Sequence, residues 1–142
     1  MDTVSPVAPE PTNYHMAPTK PRVMIIEDDD TLLRMYTEKF TIEGFEVISA
    51  KDGETAYNTL KSETPDCVLL DLHIPKIDGL SLIEKLKNEG ATLPPVLALT
   101  NLAELPQKQK AQELGLKEYL VKAMYTPEQV VDTVRKYINK AE

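Results

Sequence analysis

The chain has a single cysteine, no tryptophan, five glycines and two histidines in 142 residues. With Cys67 alone, no intramolecular disulfide can form and no paired-cysteine metal site can be built. The apolar runs are all far shorter than the roughly eighteen residues that mark a membrane-spanning helix. The first twenty residues carry neither a basic segment nor the apolar stretch of a secretory signal, so a cytoplasmic location is expected, where a lone thiol stays reduced. Basic residues are in deficit: 16 Lys and Arg face 23 Asp and Glu, a net charge of −7. That balance argues against a phosphate backbone or an anionic bilayer as a partner. Neither direct nucleic-acid binding nor membrane insertion is expected.

What is present is enough for one globular domain, with 42% hydrophobic and 27% charged residues. Five of the eleven prolines lie at positions 6, 9, 11, 18 and 21, in a stretch with few large aliphatic side chains and no periodicity. Residues 1–20 are therefore read as a disordered, proline-rich arm, and residues 21–142 as the folded domain. From Arg22 onward, short apolar runs recur at Val23–Ile26, Phe45–Ser49, Cys67–Leu70, Val96–Leu99 and Tyr119–Val121, each followed by a helical pattern. Leu33, Tyr36 and Phe40 share one helical face, as do Val130, Val134, Tyr137 and Ile138. Asp52 and Asp78 are expected N-caps, and one of Asp29 or Asp30 caps the first helix. Thr126-Pro127-Glu128-Gln129 reads as a capping box, and Gly44, Gly90 and Gly115 fall where helices should end. Continuous apolar strands alternating with amphipathic helices imply a doubly wound α/β domain with a parallel sheet covered on both faces.

In such sheets function collects at the carboxyl ends of the strands. Here the first strand ends in Glu27-Asp28-Asp29-Asp30, the third in Asp71, the fourth in Thr100-Asn101 and the fifth in Lys122. Two carboxylates about 4 Å apart repel by roughly 4 kcal/mol at an effective dielectric near 20, so a cluster of Glu27, Asp28 and Asp71 calls for a cation or a proton. An oxygen-rich set suits Mg²⁺, whereas the lack of paired cysteines and the separation of His15 from His73 disfavour zinc. Asp71 and Lys122 each abut a buried strand, where an unpaired charge is costly, and each is an available partner for the other.

These residues sit in four segments: Val23-Met24-Ile25-Ile26-Glu27-Asp28-Asp29, the run from Pro65 through Asp71 to Asp78-Gly79, Pro95 to Thr100, and Tyr119-Leu120-Val121-Lys122. In this order the stretch from Arg22 to the C-terminus resembles the receiver domain of two-component response regulators. The resemblance implies a flavodoxin-like (βα)5 fold with strand order 2-1-3-4-5. It implies that Asp71 is the phosphoacceptor, and that Glu27, Asp28, Asp71 and the backbone carbonyl of His73 hold Mg²⁺. Lys122 and Thr100 would neutralise and bind the phosphoryl oxygens, Thr100 after moving inward, and Tyr119 would rotate with Thr100 as the switch. The implied donor is a sensor histidine kinase or a histidine phosphotransfer protein. The domain would catalyse its own aspartyl phosphorylation and dephosphorylation without being a turnover enzyme. The chain ends soon after the fifth helical pattern, so output is expected through a partner protein at the helix 4, strand 5 and helix 5 face, where Lys108, Lys110 and Lys117 should be exposed, through a phosphorelay step, or through a further domain.

The chain departs from the family pattern in three places. Glu27 stands where Asp is commoner. Ala123 follows Lys122 where proline is usual, and Asn101 follows Thr100 where a small residue is usual. The last two motivate an alternative reading, a pseudo-receiver that docks proteins independently of phosphorylation. By the resemblance, the positions two after the acceptor and two after the threonine, here His73 and Leu102, tune hydrolysis of the acyl phosphate, and Leu102 is expected to shield it from water and prolong its life.

Overall fold

A computed structural model describes residues 19–140. All but the last two residues of the proline-rich arm lie outside the described residues. Five strands form one parallel sheet: β1 (Arg22–Ile26), β2 (Glu46–Ala50), β3 (Cys67–Leu70), β4 (Val96–Thr100) and β5 (Glu118–Val121). They lie in the order β2-β1-β3-β4-β5. The helices are α1 (Asp30–Ile42), α2 (Gly53–Ser62), α3 (Gly79–Asn88), α4 (Lys108–Glu113) and α5 (Pro127–Lys140). This is the flavodoxin-like (βα)5 arrangement.

The strands are apolar throughout because both faces are covered, and alternate residues serve two separate cores. Met24, Ile26, Val68, Leu70 and Ala98 point into one core with residues of α2, α3 and α4. Val23, Ile25, Leu69, Leu97 and Leu120 point into the other with Tyr36 and Phe40 of α1 and Val130, Val131 and Val134 of α5. Cys67 belongs to this second core as a buried, free thiol.

Helix starts follow the local signals. Asp29, Asp52 and Asp78 each accept from a backbone N–H three residues on, at 2.9, 2.7 and 3.0 Å. The capping box forms reciprocally: Gln129 N–H donates to Thr126 Oγ1 at 3.1 Å, and Thr126 N–H donates to Gln129 Oε1 at 2.9 Å. Gly44 and Gly115 follow α1 and α4 with φ of 95° and 89°, where a side chain would be strained. Ion pairs from Lys39 to Glu128 and from Arg135 to Glu43 join the end of α1 to α5, and Lys39 also pairs with Glu43 one turn on.

The region after β4 differs from a simple strand-helix unit. A 3-10 segment, Leu102–Gln107, precedes a six-residue α4. Pro106 lies inside that segment and has no N–H to donate, which favours the tighter, shorter turn.

Two close contacts shape the loop after β3. Gly53 N–H donates to the Pro75 carbonyl at 3.0 Å, and Ile77 N–H donates to the same oxygen at 2.9 Å, across Lys76 at φ 74°. A Cβ at position 53 would land on the Ile77 carbonyl oxygen and 2.7 Å from Ile77 Cβ. Gly53→Ala is therefore expected to cost about 1–3 kcal/mol, the range for overpacking, read from the midpoint of urea unfolding.

Burial pushes the Cys67 thiol up to about 12. The native chain should resist a thiol reagent at mildly alkaline pH and react once unfolded in urea. Because the folded thiol titrates above the unfolded one, its contribution to stability is complete below the unfolded value and is lost as pH rises towards 12.

Candidate functional site

Sheet register assembles the site. Ile26 pairs with Leu70, so Glu27 and Asp71 leave neighbouring strands side by side. Their backbone N–H groups stay in the ladder, donating to Ala50 and Ile26 carbonyls, both at 3.0 Å. On the other flank Leu70 pairs with Ala98, and Thr100 with Val121. Thr100 and Lys122 thus arrive at the same edge as Asp71.

Glu27 and Asp71 are only 3% and 4% exposed, an unusual burial for two acids. Lys122 compensates both, with Nζ 2.6 Å from Glu27 Oε1 and 3.1 Å from Asp71 Oδ2. The other Asp71 oxygen accepts the His73 backbone N–H at 3.0 Å and the buried Thr100 hydroxyl at 3.3 Å. Glu27 Oε2 accepts the Asp29 N–H at 3.1 Å, so one acidic residue after β1 orients another while capping α1. Asp28 stands exposed between them, and carboxylate oxygens of Glu27, Asp28 and Asp71 lie within 4.8 Å of one another.

Three carboxylates here face one ammonium. Burial pushes the Glu27 carboxyl above its ordinary range; the Lys122 hydrogen bond pulls against this, and the Asp71 charge adds to it. Burial works against the Lys122 ammonium, but the Glu27 hydrogen bond and the charges of Asp71 and Glu27 outweigh it and hold that pKa above the usual lysine value. The carboxylates open onto a cleft of about 430 Å³ whose walls include His73, Asn101 and Lys122. A cluster of oxygen donors with one open, hydrated side fits a hard divalent cation that keeps several waters.

The expected residues do not all converge. Tyr119 is half-buried and its hydroxyl donates to the Glu104 carbonyl in the 3-10 segment, away from Asp71. Leu102 is a correction: it is 62% exposed and lines a hollow with Leu105, Tyr119 and Met124, not the acid cleft. Asn101 is extended and the turn begins at Leu102, which carries that side chain to the β5 side. The Thr100 hydroxyl donates to Asp71 Oδ1 at 3.3 Å. After Lys122 the chain enters a short 3-10 turn, Lys122–Met124, with no cis peptide among the described residues.

Comparisons with known proteins agree with this arrangement. The response regulator receiver domain family matches residues 23–135. The probable transcriptional regulator ycf27 of Porphyridium aerugineum is 32% identical over 123 residues, covering 87% of this chain and 50% of that protein. The alkaline phosphatase synthesis transcriptional regulatory protein PhoP of Bacillus subtilis is 28% identical over 121 residues, 85% of this chain and 50% of that one. The chain thus spans about half the length of these relatives. Among solved structures, the receiver domain of Francisella response regulator 1452 superposes with a TM-score of 0.79 at 24% identity, over 87% of this chain and 100% of that one. The receiver domain of the Pseudomonas aeruginosa sensor histidine kinase PA1611, described with a magnesium ion in its active-site cleft, gives 0.75 at 20% identity, over 85% and 99%. The chain belongs to the response regulator receiver domain family, the signalling modules of two-component regulation. Its Glu27, Asp28 and Asp71 cluster fits the acidic phospho-aspartate and metal site of that family.

Removing the ammonium should expose the cost of the two buried acids. Lys122→Met is expected to lose about 3–5 kcal/mol of stability at neutral pH, the range for breaking a buried pair. The loss should shrink as the pH is lowered, because Glu27 already titrates high and takes up a proton in place of its lost partner. Urea unfolding across pH measures both effects.

Proposed function

We propose that Asp71 accepts a phosphoryl group from a sensor histidine kinase or a histidine phosphotransfer protein, with Mg²⁺ required. One observation carries this reading: Asp71 is almost wholly buried, yet its two oxygens are held by donors from three separate segments at the floor of an open acidic cleft. That is how an acceptor carboxylate is oriented for in-line transfer. A carboxylate oxygen attacks phosphorus; the O–P bond forms as the N–P bond of the phosphohistidine breaks, and the leaving imidazole nitrogen keeps the bonding pair.

The carboxylates of Glu27, Asp28 and Asp71 and the backbone carbonyl of His73 would hold Mg²⁺, which would supply positive charge to the transferring oxygens. Lys122 adds a second positive charge to a phosphoryl oxygen, and Thr100 donates its hydroxyl to another. Both then trade part of their present bonding to Asp71 for bonding to the phosphate. The readout is a two-state rearrangement of Thr100 and Tyr119, in which Tyr119 leaves the Glu104 carbonyl and the 3-10 segment shifts with it. The partner surface is the face of α4, β5 and α5. There an apolar hollow of about 480 Å³ is lined by Leu102, Leu105, Met124 and Tyr125, with Lys108 beside it. Those four are exposed large apolar side chains, an arrangement suited to a protein partner.

Intact-mass measurement after incubation with a small phosphodonor, with and without Mg²⁺, tests the proposal on wild type and Asp71→Asn. A single phosphoryl adduct that needs both Mg²⁺ and Asp71 is the expected result. No adduct, together with no Mg²⁺ binding, would overturn it in favour of a docking module independent of phosphorylation.

A further inference from the structure

The acid cleft is lined by a residue whose side chain phosphoryl transfer does not use. His73 lies two positions after Asp71, its backbone N–H holds Asp71 Oδ1, and it lines the same cleft as Glu27, Asp28 and Asp71. The residue is exposed, and its imidazole has no hydrogen bond or ion pair among the described residues. The chain has two histidines and His15 lies outside those residues, so His73 carries the one described imidazole.

An imidazole changes what an oxygen cluster prefers. Mg²⁺ gains little from a nitrogen donor, whereas the borderline ions Ni²⁺, Co²⁺ and Zn²⁺ gain a great deal. The imidazole lies outside the group of carboxylate oxygens that sit within 4.8 Å of one another. An exposed, unpartnered side chain turns about its own bonds at little cost, and such a turn is what would bring the imidazole to them.

We propose that the His73 imidazole is a nitrogen ligand to transition-metal ions bound in the acid cleft. It makes the site select such ions over Mg²⁺ more strongly than the three carboxylates alone would. The proposal rests on the reading of the cleft as a metal site given above. It assigns His73 a second role, as a determinant of metal choice, besides the part its main chain takes.

Calorimetric titration of the untagged full chain with Ni²⁺ and with Mg²⁺ tests this on wild type, His73→Gln, His15→Gln and Asp71→Asn. The quantity read is the ratio of the two affinities. A lost ligand should cost at least what a lost supporting partner does, so the Ni²⁺-to-Mg²⁺ ratio is expected to fall about tenfold or more in His73→Gln and to hold in His15→Gln. A ratio in His73→Gln within threefold of wild type would overturn the proposal, as would a fall that follows His15 instead. If Mg²⁺ binds and depends on Asp71 while the ratio ignores His73, the metal site stands and only this inference fails. If neither ion binds in an Asp71-dependent way, both readings fail.

Discussion

The site depends on one lysine. Register between β1 and β3 forces Glu27 and Asp71 to the ends of adjacent strands, and the helices that cover the sheet bury them there. Lys122 comes from 95 residues beyond the first and 51 beyond the second to lie against both. Take it away and two like charges share a dry corner, at a cost of several kcal/mol. Strand β5 is thus tied to the sheet twice, by its ladder with β4 and by the ammonium at its end. The group that makes the fold affordable is also the cation nearest the proposed acceptor oxygen.

Solvent exposure is graded across this cluster. Glu27 and Asp71 are buried, Asp28 stands in the open, and exposed His73 and Asn101 line the same cleft. Donors arranged in that way hold an ion from one side and leave its other side to water or to a phosphoryl oxygen. The apolar hollow over β5 lies on another part of the surface, and the Tyr119 hydroxyl, bonded to the Glu104 carbonyl, belongs to its wall. Acid cleft and apolar hollow are therefore joined by the few residues that run from Thr100 into the 3-10 segment.

Much of this was legible from local pattern. Apolar runs gave strands within a residue or so of their observed ends, and Asp52, Asp78 and Thr126 cap the helices they precede, because capping is settled within four residues of chain. Asp71 and Lys122 could be paired because a charge abutting an apolar strand must find a partner. What failed to show was set by tertiary geometry. The family resemblance placed Leu102 over the acid cleft, but the turn starting at that residue carries it to the hollow beside β5. His73 was expected at the metal site only through its backbone carbonyl; that its backbone N–H holds Asp71 at the cleft follows from the turn after β3.

The sheet also acts as a partition. Side chains of the α1 and α5 core and those of the α2, α3 and α4 core point away from each other across a layer of backbone and share no member. A change of volume on one side is met first by neighbours on that side, since the side chains of the two cores leave opposite faces of the sheet. In evolutionary terms the domain carries two nearly independent sets of epistatic positions. Substitutions on opposite faces combine additively, and those on one face do not. A lineage can therefore rework the helices of one face while the packing of the other keeps its own history.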